Sequence, residues 1–530
     1  MIIRVIQGVL IGLVATLGAG WVFAPVTWAI SYPLLAGWFV GLILGDPMRG
    51  AAAGAFINLA YIGWISAGGS MPGNMMIAGV YGTALTVLSA ADPKLAPALA
   101  IPLGLFGVAV WNVQMSLNAA WIHRADRYAE EGNTRGIMLM NFVPPQIVVF
   151  ILNGLPAVIL MLAGPEFFKS MLEKIPANWA DAMGVVASLM PALGIAMLIN
   201  ALRKPKLLPI FFIGFFVATY LKLNIMALAI FGGLIGLFAF LNQPQPAAAT
   251  TAVAEKAQPK LAKQLTKRDL VTHWLLGLCQ ESCYNYERLQ AVGTAAAMVP
   301  MIRKFYKTKE EIAARLKCYM VFFNTEPAFI GTVIPGIVAS MEEQRANGAP
   351  ITDDEINSVR SGLMGPLAGI GDTVSQAILY PTLAAICIDL AIRGNPLAAP
   401  LFWFGFTGVM LLLGYNLYMR GYYQGRQVVT QLLRGNLLAR VTDAFAIMGL
   451  MVVGGMAAQR IPISIPLSFT VSGQTLAVQT MLDSLMPGLV PLAIVLITYQ
   501  LVRRRISMTR IVLGMFFVGL IFGLLKIFKA

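Results

Sequence analysis

Apolar runs of roughly twenty residues, punctuated by short charged loops, fill this chain from end to end, and that spacing predicts membrane-crossing helices. Gln7 to Ile30 is the first run, rich in Gly and Ala, and Leu34 to Leu44 follows, stopping at Gly45-Asp46-Pro47. The stretches around 51–66 and 75–90 are short and glycine-interrupted. They predict hairpins or discontinuous helices rather than simple spans. Longer apolar segments cover 97–122, 142–163 and 182–202, and 207–219 and 224–241 close this half. Between two of these spans, His123 to Asn133 is charged and predicts a helix end with a solvated turn.

The pattern then stops. Residues 243–264 open on Pro, Gln, Ala and Thr without hydrophobic periodicity and lead through Lys256, Lys260 and Lys263 to Lys267 and Arg268. Such a segment predicts a flexible linker, and its cations predict a cytoplasmic one. Membrane sequence on both sides gives two units, 1–242 and 265–530.

The second unit opens with Lys267 to Leu278, charged and apolar at helical spacing, as an interfacial helix would be. Arg303 to Lys317 is too charged for hydrocarbon. Membrane segments are predicted at 319–340, 365–392, 397–419, 443–458, 485–502 and 511–528. Ile461 to Gln474 alternates Pro, Ser and β-branched residues and predicts a small β-hairpin. Ser361 to Asp372 (Ser-Gly-Leu-Met-Gly-Pro-Leu-Ala-Gly-Ile-Gly-Asp) is rich in helix-weakening residues and ends in an acid. It predicts broken backbone lining a cavity. The competing expectation is a loop whose Asp372 caps the next helix.

Composition agrees with the pattern. Of 530 residues, 58% are hydrophobic and 12% charged, about half the charge of a soluble domain. The length allows on the order of ten spans plus hairpins. The net charge of +14 follows from Lys and Arg in the short loops, so no nucleic-acid partner is expected. The start reads as a retained segment, without a signal-peptide n-region. Cys279, Cys283, Cys318 and Cys387 read as packing residues, and no metal set or cofactor is expected.

Polar residues inside apolar segments carry the functional signal. Gln7, Asn58, Asn74, Asn112 and Gln114 stand in the first unit. Gln280, Glu281, Asn285, Glu287, Asn324, Glu326, Asp372 and Gln376 stand in the second. Amides and acids match the hydroxyl fan of a neutral, hydroxyl-rich substrate, and Trp and Tyr offer faces to its C–H side. Interhelical hydrogen bonding is the competing use. There is no Walker-type loop, and neither His123 nor His273 has partners for a phosphoryl relay. The chain therefore moves its substrate and carries no phosphoryl group itself.

Several motifs resemble one family. Asn285-Tyr-Glu-Arg-Leu-Gln-Ala-Val-Gly293, Phe322-Phe-Asn-Thr-Glu-Pro327, Glu342-Glu-Gln-Arg-Ala-Asn-Gly348, Gly362 to Asp372 and Asp483 to Pro491 resemble the IID subunit of the mannose-family sugar phosphotransferase system. Gly41 to Gly50, Ile101-Pro-Leu103, His123 to Gly132 and Leu208 to Gly214 resemble its IIC subunit. The resemblance implies an all-α polytopic fold of two related, oppositely oriented halves with re-entrant hairpins. It implies a homotrimer in lipid at the bacterial cytoplasmic membrane, working as an elevator. It also implies soluble IIA and phosphorylated IIB partners that phosphorylate the incoming sugar. The substrate residues expected from it and from the polar pattern are Gln7, Asn58, Asn74, Glu281, Asn285, Glu287, Asn324, Glu326, Asp372 and Gln376. The alternative is an ion-coupled secondary transporter with Asp372 and Glu326 as cation ligands.

The chain departs from the family pattern. Asn58 and Asn74 stand where relatives tend to carry an acid or Gln and an Asp, while Glu281 and Glu326 stand where relatives are often neutral. Acids are lost in one half and gained in the other, which argues against plain mannose or glucose. A buried carboxylate needs a partner. A cationic derivative, an amino sugar or a glycated amine, is one expectation. A protonated Glu326, or one paired with Lys222, is the other. Arg288 is expected beside Glu287 or at the membrane surface.

Overall fold

The computed structural model describes residues 1–64, 73–173, 177–201, 206–242, 264–425, 437–471, 474–506 and 508–529. The expected linker lies outside these residues, apart from position 264. Among the described residues, seven helices are long and apolar enough to cross a membrane. They are Ile2–Gly20, Pro93–Glu130, Thr134–Gly164, Asp181–Asn200, Ile225–Asn242, Asp353–Ile392 and Ala398–Gln424. Val478–Leu485 and Leu489–Arg503 make an eighth crossing if the two, bent by 79°, act as one. The other apolar segments form helices of ten to seventeen residues, too short to span hydrocarbon alone.

The first half's Pro33–Leu44 and Pro47–Tyr61 helices form a tight antiparallel pair. Gly45 turns the chain at φ 88°, Asp46 accepts the Arg49 N–H at 3.0 Å, and Pro47 opens the next helix. The pair touches backbone to backbone: a Cβ on Gly50 would lie 2.5 Å from Gly41 Cα. Small residues permit this where lipid supplies no hydrophobic drive.

The two halves interlock. Leu208–Tyr220 and Ile225–Asn242 pack along Leu437–Gln459, and Ala177–Ala201 packs along Met508–Leu524. The turn at Gly132 lies against Lys309, and Arg315 and Arg345 both reach Asp353, at 2.7 and 2.6 Å. Thr266 and Asp269 cap the Lys267–Gly277 helix reciprocally. Partial burial raises the Asp269 carboxyl, but bonds from Lys304 and Thr266 outweigh it and hold it below its ordinary value.

Three expectations are corrected. The Gly/Pro run is not broken: Asp353–Asp372 is one helix, and the irregularity is a π segment just after it, Thr373–Leu379. Thr352 and Glu355 start that helix with a capping box, and Gly371 lets it settle on the Glu326 side chain, which a Cβ would meet at 2.6 Å. Close packing thus uses the residues that intrinsic propensity counts against a helix. The segment 319–340 is not a span. Residues 320–329 are non-helical, and only Val333–Ala346 is an α-helix. Glu326 stabilises the non-helical backbone by accepting the N–H groups of Ala328 and Phe329, at 3.0 and 2.8 Å. The charged stretch is a helix end and a turn, as expected: His123 to Glu130 close the Ala96–Glu130 helix, and the chain turns at 131–133. Third, Arg288 does not pair with Glu287: Asp126, on that helix, binds it, and the pair is about a third exposed. The expected hairpin is present, pairing Ser468–Val471 with Gln474–Ala477.

Candidate functional site

Two breaks in helical structure meet between the halves. In the first half the chain leaves the Ile2–Gly20 helix at Trp21, φ 45°, and resumes as Val26–Ser31. In the second half, turns from Leu278 to Gln290 separate Lys267–Gly277 from Ala291–Phe305. The backbones join directly, the Ala24 N–H donating to the Leu278 carbonyl at 2.9 Å. First-half amides hold the rest of the second turn region. Asn118 donates to the Tyr284 carbonyl at 2.9 Å, Asn141 to that of Cys279 at 3.3 Å, and Gln146 to that of Ser282 at 3.4 Å.

This junction forms one wall of a cleft of about 80 Å³. The first half contributes Trp21, Trp28, Ser31, Tyr32 and Met75. From the second half come Glu281, Tyr284, the Asn324–Pro327 segment, Asp372 and Gln376. A larger cavity, about 1160 Å³, opens elsewhere, between Asp92, Asp181, Arg460 and Lys526. It holds none of the candidate residues, and the smaller cleft is where acids, amides and aromatic faces converge.

Five of the ten expected residues line the cleft: Glu281, Asn324, Glu326, Asp372 and Gln376. Glu281 accepts the Trp28 indole N–H at 3.1 Å and the Gln290 amide at 3.2 Å. Tyr284 donates to Asn324 Oδ1 at 2.7 Å, and Gln376 Nε2 donates to Asp372 Oδ1 at 3.0 Å. Each carboxylate or amide is thereby oriented by a neighbour.

The other five lie outside the lining. Asn58 is fully buried, accepts the Leu34 N–H at 3.2 Å and donates to the Tyr380 hydroxyl at 2.8 Å. Tyr380 in turn stacks on Tyr32 with ring centres 3.7 Å apart, so Asn58 stands behind the cleft wall. Asn74 caps the Met75–Leu88 helix through Ile77 and donates to Gly107 at 3.2 Å. Asn285 organises its own turn, accepting from the N–H groups of Glu287 and Arg288 at 3.1 and 3.0 Å. Glu287 faces His123 at 3.0 Å, and Gln7 donates to the Ile43 carbonyl at 3.0 Å.

Sequence reasoning missed the aromatic wall and the bracing amides. Gly20-Trp21 and Pro25 signal the break within what reads as one apolar run. Nothing local marks Asn118, Asn141 or Gln146, because their partners are more than a hundred positions away. Among the described residues no cluster could hold a metal ion.

A polytopic helical protein with a polar cleft shared between two interlocked halves is a membrane permease in its architecture. The PTS system mannose/fructose/sorbose family IID component matches residues 264–528, and the PTS system sorbose-specific IIC component matches residues 5–238. The chain belongs to the mannose family of phosphotransferase-system membrane components and joins a IIC and a IID component in one polypeptide. It is 38% identical over 265 residues to the sorbose-specific EIID component of Klebsiella pneumoniae, covering 49% of this chain and 96% of that protein. To the mannose-specific EIID component of Escherichia coli K12 it is 35% identical, covering 51% and 96%. To the mannose-specific EIIC component of the same strain it is 28% identical, covering 40% and 80%. It is thus a multi-pass protein of the bacterial inner membrane and a permease of the phosphotransferase type, and the ion-coupled alternative is not supported.

Proposed function

We propose that the cleft between Trp28 and Asp372 receives a sugar or sugar derivative, which the protein passes inward for phosphorylation by soluble IIA and IIB partners. The observation that carries this reading is convergence. Aromatic faces from one half and acids and amides from the other meet in one cleft. A hydroxylated ring needs both kinds of surface.

The further parts of the proposal are these. Residues 1–242 and 265–530 are a IIC-like and a IID-like domain of related, opposite orientation, and 243–264 is a cytoplasmic tether. Three copies assemble in lipid. A mobile core from both halves, bearing the cleft, slides as an elevator against a fixed scaffold, with re-entrant hairpins at its tips. The 79° bend between Val478–Leu485 and Leu489–Arg503 supports such a hairpin. The bracing of the Glu281 turn by Asn118 and Asn141 supports a core drawn from both halves.

Asp372→Asn tests the site. A hydrogen bond to a charged group is worth about 1.5–3 kcal/mol, so sugar affinity falls about ten- to a hundredfold while the protein still inserts and assembles. Unchanged uptake by this variant removes Asp372 from the site.

A further inference from the structure

We propose that the large cavity away from the cleft holds an anionic phospholipid of the membrane, its phosphate among the cations at the polar end and an acyl chain along the apolar wall. The cavity measures about 1160 Å³, above the range of about 300–1,000 Å³ usual for small-molecule pockets. Both halves line it, and helix ends gather there. Asn178 stands at the start of Ala177–Ala201, while Ile392, Gln459 and Leu524 close Tyr380–Ile392, Leu437–Gln459 and Met508–Leu524. Ends of membrane helices lie at the depth of the lipid headgroups. From that end the lining follows Ala177–Ala201 inward from Asn178 to Pro191, a distance of about 20 Å at the helical rise. Phe56, Leu59 and Val185 give this deeper part an apolar wall.

The polar end is positive. Lys94, Arg460, Lys526 and Lys529 line it, against Asp92 and Asp181. None of the three lysines forms an ion pair with another described residue. Asp92 is already engaged, accepting the Lys94 backbone N–H at 2.9 Å. Arg460 and Arg393 share the one carboxylate of Asp389, so two guanidinium groups face a single acid. The Arg460 Nε is buried and has no hydrogen-bond partner among the described residues. Backbone bonds fix the C-terminal lysines beside the cavity. Lys529 and Ser464 exchange both of theirs at 2.9 Å, and the Lys526 N–H donates to the Gly523 carbonyl at 3.0 Å. A phosphodiester supplies the missing negative charge and the acceptor oxygens together. Basic pockets between membrane helices recognise anionic headgroups in this way. A free phosphate would answer the same cations, but it would leave the apolar wall wet, and a lipid chain covers that wall.

Native mass spectrometry of the purified full-length protein tests this, after delipidation in detergent and titration with phosphatidylglycerol, phosphatidylcholine, inorganic phosphate or glycerol phosphate. Phosphatidylglycerol is expected to bind most tightly. A lysine beside an anionic headgroup is worth about fivefold in affinity, so Lys526→Ala with Lys529→Ala weakens binding about thirtyfold. Ser188→Phe, on the deeper wall, weakens it by blocking the chain and leaves the cations in place. Two variants at opposite ends guard against misfolding of one, and the lipid-free unfolding temperature reports the fold of each. Replacing Arg503, Arg504 and Arg505 by Gln, before the helix whose far end lines the cavity, leaves binding unchanged. No retained phosphatidylglycerol, or equal retention of the two lipids, overturns the proposal. So does phosphatidylglycerol binding that ignores either the lysine pair or Ser188→Phe in a folded variant. An equal loss in the arginine variant marks general attraction to basic surface and overturns it as well. Soluble phosphate that binds as tightly as phosphatidylglycerol assigns the cavity to a free anion and overturns the lipid. The cleft reading rests on other residues and survives each of these results.

Discussion

Arg288 grips Asp126 with both terminal guanidinium nitrogens, at 2.8 and 2.7 Å, across 162 positions of sequence and from one half of the molecule to the other. The same guanidinium donates to the Met320 carbonyl at 2.9 Å. One side chain therefore ties the helix ending at Glu130 to two irregular segments that lead into the cleft, the Asn285 turn and the 320–329 stretch. His123 and Glu287 meet beside it at 3.0 Å.

Asp126→Ala and Arg288→Ala are expected to be non-additive. The pair is about a third exposed, so solvent screening limits the coupling to about 1 kcal/mol, at the upper end for a bidentate surface pair. Thermal stability of the two single variants and the double variant measures it. The charge swap, Asp126→Arg with Arg288→Asp, recovers part of the loss; additive single effects would reduce the pair to a surface ornament.

Cutting the chain near Ala248 is expected to be tolerated. Three helix contacts between the halves, those of Leu208–Tyr220 and Ile225–Asn242 on Leu437–Gln459 and of Ala177–Ala201 on Met508–Leu524, do not involve the linker. Co-expressed halves purify together and transport, and neither half transports alone because each leaves an incomplete cleft. Halves that fail to associate would show that the tether holds them.

Asn118→Ala removes the donor to the Tyr284 carbonyl. An orphaned buried carbonyl costs about 1–3 kcal/mol. The turn bearing Glu281 and Tyr284 loosens, and sugar affinity falls several-fold, with Asn118→Asp rescuing less than Asn118→Gln because it supplies no amide donor. Isothermal binding reads the effect. Unchanged affinity in Asn118→Ala would mean the turn holds itself.

Gly50→Val tests the hairpin of the first half. Its Cβ would fall 2.5 Å from Gly41 Cα, and backbone cannot yield as a flexible side chain can. Overpacking of this kind costs about 1–3 kcal/mol, seen as a lower unfolding temperature and less assembled protein. A value within error of the parent would mean the helices separate freely.

Hydrophobic length made most helices legible, because a bilayer demands long apolar runs wherever they occur. Glu281, Asn324, Glu326, Asp372 and Gln376 were legible for the complementary reason: polar groups there are costly enough to need a purpose. The path of the chain around them was not. Gly362 to Asp372 suggested a break and folds as helix, since Gly371 against Glu326 rewards the missing side chain. The 319–340 segment suggested a span, yet 320–329 are non-helical, since Glu326 satisfies two backbone N–H groups there. Asn58 and Asn74 look like cleft residues in sequence, yet one holds Tyr380 and the other caps a helix. Which residue a buried amide meets is decided by tertiary contacts that local pattern does not carry.

The most direct measurement follows the chemical state of the sugar on arrival. Proteoliposomes holding the purified protein receive labelled sugar outside and phosphorylated IIB inside. Sugar phosphate is expected in the lumen, dependent on phosphorylated IIB and unaffected when ionophores collapse proton and sodium gradients. Free sugar accumulating without IIB, and lost when the gradients collapse, would contradict group translocation.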